Sequence, residues 1–127
     1  MPIQYVRDPA RGWLFTTAYG LVTFLEINEH LDVEEHSRDL GQPELVDART
    51  ATTNLTADQI RRLAQRAADT ASRIPLGPTA IVTTNDVVFG MARMYSAFAE
   101  RARARVEVFR DMDAADVWLE GEGRSTE

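Results

Sequence analysis

Few side chains in this 127-residue chain have both the type and the neighbours that chemistry needs. Asp47, Asp86 and Arg93 are the residues that could supply a base and an electrophilic stabiliser, and nothing in their spacing brings them into one cleft. Cysteine is absent, which excludes thiolate nucleophiles, thiolate metal sites and disulfides. His30 and His36 lie six residues apart, off the spacing that turns two ligands toward one ion, and both are expected in solvent. The serines, Ser37, Ser72, Ser96 and Ser125, lie in no nucleophile-elbow context. No phosphate-loop or dinucleotide glycine pattern is present. The chain is therefore predicted to be no enzyme, with no catalytic residue, no metal and no cofactor.

Binding is the better expectation. Phe89, Met91, Met94, Tyr95 and Phe98 form a Met and aromatic stripe at helical spacing, which reads as a pocket wall or as ordinary core. Gly90 sits where helix propensity disfavours it, leaving room for a ligand or for close packing. Arg93 within this run is either ion-paired, with Asp47 or Asp86, or meets an anionic head group at a pocket mouth. Ligands of open α/β sheets sit beyond the carboxyl ends of the strands. That edge would gather Asp47, Arg49, Thr50, Thr84, Asn85, Asp86 and the helix start at Thr56; the alternative makes them turn and cap residues. Residues 12–25 carry no charge, and Val22, Phe24 and Leu25 either form an exposed apolar edge or fold back on the core. The candidate ligand-binding set is Phe24, Asp47, Thr56, Phe89, Gly90, Met91, Arg93, Met94 and Tyr95.

The elements that must position these residues follow from local signals. Residues 3–7 alternate and 13–19 are aromatic and β-branched, so a hairpin across Asp8-Pro9-Ala10-Arg11-Gly12 is expected, ended by Gly20. Thr23 with Glu26, and Thr56 with Gln59, are capping boxes, each flanked by a hydrophobic staple pair: Val22 with Ile27, and Leu55 with Ile60. The first opens a helix to about Arg38, stopped by Gly41 and Pro43. Its later turns are acidic and weakly apolar, so it should be loosely held. A short strand over 44–48 precedes the second helix, 57 to about 73, whose Ile60, Leu63, Ala64, Ala67, Ala71 and Ile74 share a face. An apolar strand at 79–84 leads to a third helix, capped by Asn85 or Asp86 and ending near Arg103. A strand at 106–109 and a helix at 112–119 complete the order, with Asp111 as N-cap and Gly121 as stop. The domain is placed at 1–121 and a frayed tail at 122–127. Alternation of strands and helices after the hairpin predicts right-handed crossovers and a largely parallel sheet.

The run Phe89-Gly90-Met91-Ala92-Arg93-Met94-Tyr95, followed by Val106-Glu107-Val108-Phe109-Arg110-Asp111 and then Ala114, Ala115, Trp118 and Leu119, resembles the C-terminal half of the SpoIIAA-like family. Leu45-Val46-Asp47 and Thr56-Ala57-Asp58 extend the resemblance more weakly, so that it spans the chain from the hairpin to Trp118. That family shares its fold with STAS domains and with the lipid-binding half of CRAL-TRIO proteins. The resemblance implies a single-domain α/β sandwich: a mixed, mostly parallel sheet of about five strands with an N-terminal hairpin, and about four helices. It also implies a non-catalytic module that reversibly holds a nonpolar, lipid-like ligand or meets a membrane surface. The alternative is a protein–protein regulatory module of the anti-sigma-factor-antagonist type. STAS regulators begin the helix after the third strand with Asp-Ser-Ser-Gly; here Thr56 matches the first Ser, Ala57 the second and Asp58 the Gly. The residue that is phosphorylated in those proteins is missing, and Thr56 reads as an N-cap.

Charge narrows the partners. The net charge is −6, and all fourteen basic residues are arginine. Segment 23–47 carries eight acids against one arginine, whereas 48–110 carries ten arginines against five acids. An acidic chain is a poor nucleic-acid binder, so no nucleic acid is expected. The candidate partners are a nonpolar or amphiphilic small molecule, a membrane surface touched peripherally, a protein, and a second copy in a homodimer. No signal peptide or spanning segment is read, and a cytoplasmic location is expected.

Overall fold

Two strands that alternate in burial begin the sheet: β1 (Ile3–Arg7) and β2 (Leu14–Val22) pair antiparallel. The order continues α1 (Phe24–His36), β3 (Glu44–Thr53), α2 (Ala57–Ala71), β4 (Thr79–Val82), α3 (Asp86–Arg101), β5 (Val106–Phe109) and α4 (Met112–Ser125). The computed structural model describes residues 2–101 and 104–125, and of 123–125 the backbone alone. The five strands lie in sequence order, with β2 to β5 all parallel. The architecture is the expected mixed, mostly parallel α/β sandwich with an N-terminal hairpin and four helices.

Sequential order with right-handed crossovers puts α1, α2 and α3 on one face of the sheet and leaves the other to α4. On the α4 side, Trp13, Leu45, Ala80 and Val82 pack with Ala115 and Leu119 as one core cluster. On the opposite side register aligns two rows: Tyr5, Thr16, Val46 and Ile81 in one, and Arg7, Leu14, Glu44 and Thr79 in the next. A second cluster there joins Ala18, Val22, Ala48 and Ala51, with Ile27 packed against it.

Both capping boxes form, at Thr23 with Glu26 and at Thr56 with Gln59. Asn85, not Asp86, caps α3: its Oδ1 accepts from the Val87 and Val88 amides at 2.9 and 3.1 Å. Other boundaries move for identifiable reasons. Strand β2 runs through Gly20, which takes φ 65, and its pairing partner β3 is carried on to Thr53 instead of ending near residue 48. Helix α1 stops at His36, before Gly41, because Arg38 turns left-handed at φ 61. The Asp39 amide then donates to the Glu34 carbonyl and the Arg38 amide to the Glu35 carbonyl, the paired bonds of a Schellman motif. Helix α4 continues past the expected stop at Gly121 to Ser125. Arg103, the expected end of α3, and the last two residues of the expected tail lie outside the described residues.

Candidate functional site

Between α1 and the sheet lies a cavity of about 230 Å³. Its sheet wall is built from small side chains, Ala18, Ala48 and Ala51, at positions where a larger apolar residue would fill the space. Val46 and Ile81 complete that wall. Helix α3 presents Val88, Met91, Ala92 and Tyr95 at helical spacing, and α2 presents Ile60 and Leu63. Ile27 and Leu31 of α1 form the roof. Neither is fully buried, and the single side chain that α1 buries completely is Glu34.

That carboxylate belongs to the charged end of an otherwise apolar space. His30 and Glu34 stand one turn apart on α1, and Glu44 opens β3 opposite Leu14. His30 Nε2 is 3.1 Å from Glu34 Oε1 and 3.3 Å from Glu44 Oε2. The buried Thr16 hydroxyl donates to Glu44 Oε2 at 2.5 Å. Glu34 is 0% exposed, and neither of its oxygens has a hydrogen-bond partner among the described residues. The Tyr5 ring stands edge-on to His30 at 5.5 Å, and its hydroxyl donates to Asp39 at 2.8 Å; Arg7 pairs with the same Asp39.

The electrostatics follow from this enclosure. Burial opposes a charged His30, yet the two carboxylates beside it prevail and lift its pKa to about 9. Burial raises the Glu34 carboxyl to about 7, against the pull of His30. Burial would also raise Glu44, but contacts from His30, Glu34 and Thr16 bring it below the usual carboxylate range. Burial, and then the nearby Glu44 charge, push the half-buried Tyr95 up to about 12.

Helix α1 is fastened from outside by charge. Arg66 of α2 donates to the Asn28 side chain at 3.0 Å and to Asp32 at 2.8 Å, and Arg73 pairs with Glu35 at 3.2 Å. Arg66 and Arg73 of the arginine-bearing segment thus meet acids of the acidic segment across α2 and α1.

Among the candidate residues, Met91 and Tyr95 line the cavity. Gly90 points away from it: a Cβ there would meet nothing within 4 Å. Arg93 is exposed, 5.9 Å from the Phe89 ring, which also carries Arg110 at 4.0 Å. Its expected ion-pair partners are engaged elsewhere, Asp47 with Arg49 at 2.9 Å and Asp86 with Arg110 at 2.7 Å. Thr56 caps α2. Val22 folds into the core whereas Leu25 is 65% exposed, and Phe24 and Met94 are half-buried beside the cavity lining, not in it. The charged groups that do converge lie toward the amino ends of the parallel strands, not at the carboxyl edge. His30, expected in solvent, is their centre; its i, i+4 relation to Glu34 was the available signal. His36 is exposed as expected.

No helix among the described residues is long and apolar enough to cross a membrane. No protein-family model and no curated protein matches the chain. Among solved structures, it is similar to an uncharacterized protein of the DUF3478 family from Shewanella loihica PV-4, itself described as having a SpoIIAA-like fold. The TM-score is 0.59 at 18% identity, over 92% of this chain and 91% of that one. Coverage of nearly the whole of both chains, with the strand order and helix placement above, gives the conclusion that this chain has a SpoIIAA-like fold.

Proposed function

We propose that the chain is a binding module that takes a small, mostly apolar molecule with one polar end into the cavity beneath α1. The observation that carries this reading is the cavity itself: apolar walls with a few convergent polar groups at one end are the usual form of a small-molecule site. Its size limits the ligand. About 230 Å³ suits a short chain or a single ring, an apolar cavity of about 150 Å³ being enough for benzene. A long acyl chain would need α1 to lift, and the outer rim of α1 is fastened by surface ion pairs to Arg66 and Arg73. Peripheral contact with a membrane belongs to this reading only as the place where such lifting would occur. The SpoIIAA-like fold is equally compatible with a regulatory module of the STAS type. Against that alternative stands the use of Arg66 and Arg73 on α1 itself, which removes them from the α2 surface a protein partner would meet.

Native mass spectrometry of the purified protein, before and after denaturation, reads any carried ligand. An NMR titration with n-hexanol then tests the site. Shifts are expected at Ala48, Met91 and Ala92, abolished by Ala92→Phe, which fills the cavity, and kept in Gly90→Trp, on the outward side of the same helix. Hexanol binding that survives Ala92→Phe, or shifts confined to the α4 side of the sheet, would overturn the reading.

A further inference from the structure

The charged end of the cavity holds an arrangement that an apolar ligand does not explain. His30, Glu34 and Glu44 each offer one ligand-type atom, and all three atoms lie within 4.8 Å of one another. We propose that these three residues form a binding site for one divalent first-row transition cation, of the zinc or manganese type, open to the cavity on its remaining side.

Geometry is the first argument. Donors bound to such a cation at about 2.0–2.2 Å stand about 3.0–3.5 Å apart at neighbouring corners of a tetrahedron or octahedron. His30 Nε2 is 3.1 Å from the Glu34 oxygen and 3.3 Å from the Glu44 oxygen, so two edges of such a polyhedron already exist. The supports are in place as well: Thr16 holds the Glu44 carboxylate, and the Tyr5 ring braces the imidazole. His30 and Glu34 sit on a helix and Glu44 on a strand, so rigid elements present all three donors.

The second argument is independent of the spacing. Glu34 is completely buried and, among the described residues, neither of its oxygens accepts a hydrogen bond: His30 Nε2 is an ion contact at 3.1 Å, but its hydrogen-bond geometry is met with Glu44. A buried carboxylate left this way is costly, and a structural polar cluster would be expected to supply donors to it. Here the Thr16 hydroxyl serves Glu44. A cation seated between the three residues takes the place of the proton on His30 Nε2, which is released to solvent, and bonds Glu34 directly, while two carboxylates balance its two charges within apolar walls.

The donor set decides the class of ion. One imidazole and two carboxylates suit zinc, manganese or ferrous iron. Calcium takes six to eight oxygens and magnesium keeps much of its water, so both should bind far more weakly here. Three protein donors leave positions for water or for the polar end of a ligand in the cavity.

The test uses metal alone, so its outcome is separate from hexanol binding. Protein stripped with EDTA is titrated calorimetrically with Zn²⁺ and with Mn²⁺, with Mg²⁺ and Ca²⁺ as counter-ions. One equivalent of Zn²⁺ or Mn²⁺ per chain is expected. Glu34→Gln and His30→Gln should each weaken it by about 100-fold or more, since loss of even an outer partner costs about 10–100-fold. Glu29→Gln, on the exposed side of α1, should leave it unchanged. Sub-stoichiometric Mn²⁺ added to the unaltered protein should broaden the NMR signals of Thr16 and Tyr95 before those of Ala115 and Leu119 on α4. This readout decides the matter if a variant fails to fold. Absence of a one-equivalent event, an undiminished affinity in Glu34→Gln, or broadening confined to exposed acids would overturn the proposal.

Discussion

Arg66 on α2 reaches Asp32 on α1 at 2.8 Å, and a second nitrogen of the same guanidinium takes the Asn28 side chain at 3.0 Å. Two helices that cover the same face of the sheet are therefore joined at their rims by polar contacts, while the space between α1 and the sheet is a cavity. Asp32 is 67% exposed, which limits what the contact contributes to stability.

Arg66→Ala should accordingly cost only about 1 kcal/mol of global stability, in the range of exposed pairs, but should act strongly on α1. Amide hydrogen exchange is expected to rise across α1 with little change in α4. Equal changes in both helices would mean that α1 is held by its apolar contacts after all.

Much of the fold was legible because its signals are local. Thr23 with Glu26, Thr56 with Gln59, and Asp111 before Ala114 place three helix starts within a few residues. The site was less legible because its parts are brought together by register. Glu44 meets His30 only because β3 pairs with β2 so that Glu44 lies opposite Leu14, and no periodicity encodes that. Nor does α1 declare its inner side: Ile27 and Leu31 interleave with His30 and Glu34, so the same arc of the helix is apolar and charged. Arg93 misled for the opposite reason. Its apolar neighbours belong to two sides of α3, and the arginine projects from the side that faces water.

Thr56 stands where STAS regulators carry a serine, and its observed role is capping: its side chain accepts from the Gln59 amide at 3.1 Å. Thr56→Ala should lower stability by about 1 kcal/mol, whereas Thr56→Ser and Thr56→Asp should be nearly neutral, because both are good caps. Denaturant unfolding measures this. A large loss in Thr56→Asp would show that position 56 does more than cap.

Arg38 ends α1 in a conformation that glycine adopts without steric cost. Arg38→Gly should raise stability by about 0.5–1 kcal/mol, seen as a higher denaturation midpoint at unchanged denaturant sensitivity. Because this motif sets where the chain turns away from Glu34, the same variant should bind Zn²⁺ as the unaltered protein does. Destabilisation by glycine would mean that the left-handed turn is not retained in solution.

Tyr95 reports whether the cavity is closed to bulk water. Its pKa of about 12 lies above the ordinary 10.0 because burial, and then the Glu44 charge, disfavour the phenolate. An acid with a raised folded-state pKa contributes stability that is fully present below the unfolded value and lost as pH rises. Between about pH 10 and 12 the unfolded chain gives up this proton while the folded chain keeps it, so unfolding should become easier across that window. A near-ultraviolet absorbance titration should show a late tyrosine phase near pH 12, and Tyr95→Phe should remove that phase and flatten the alkaline loss of stability. Absence of a late phase, or a late phase kept in Tyr95→Phe, would mean that bulk water reaches the Tyr95 hydroxyl freely.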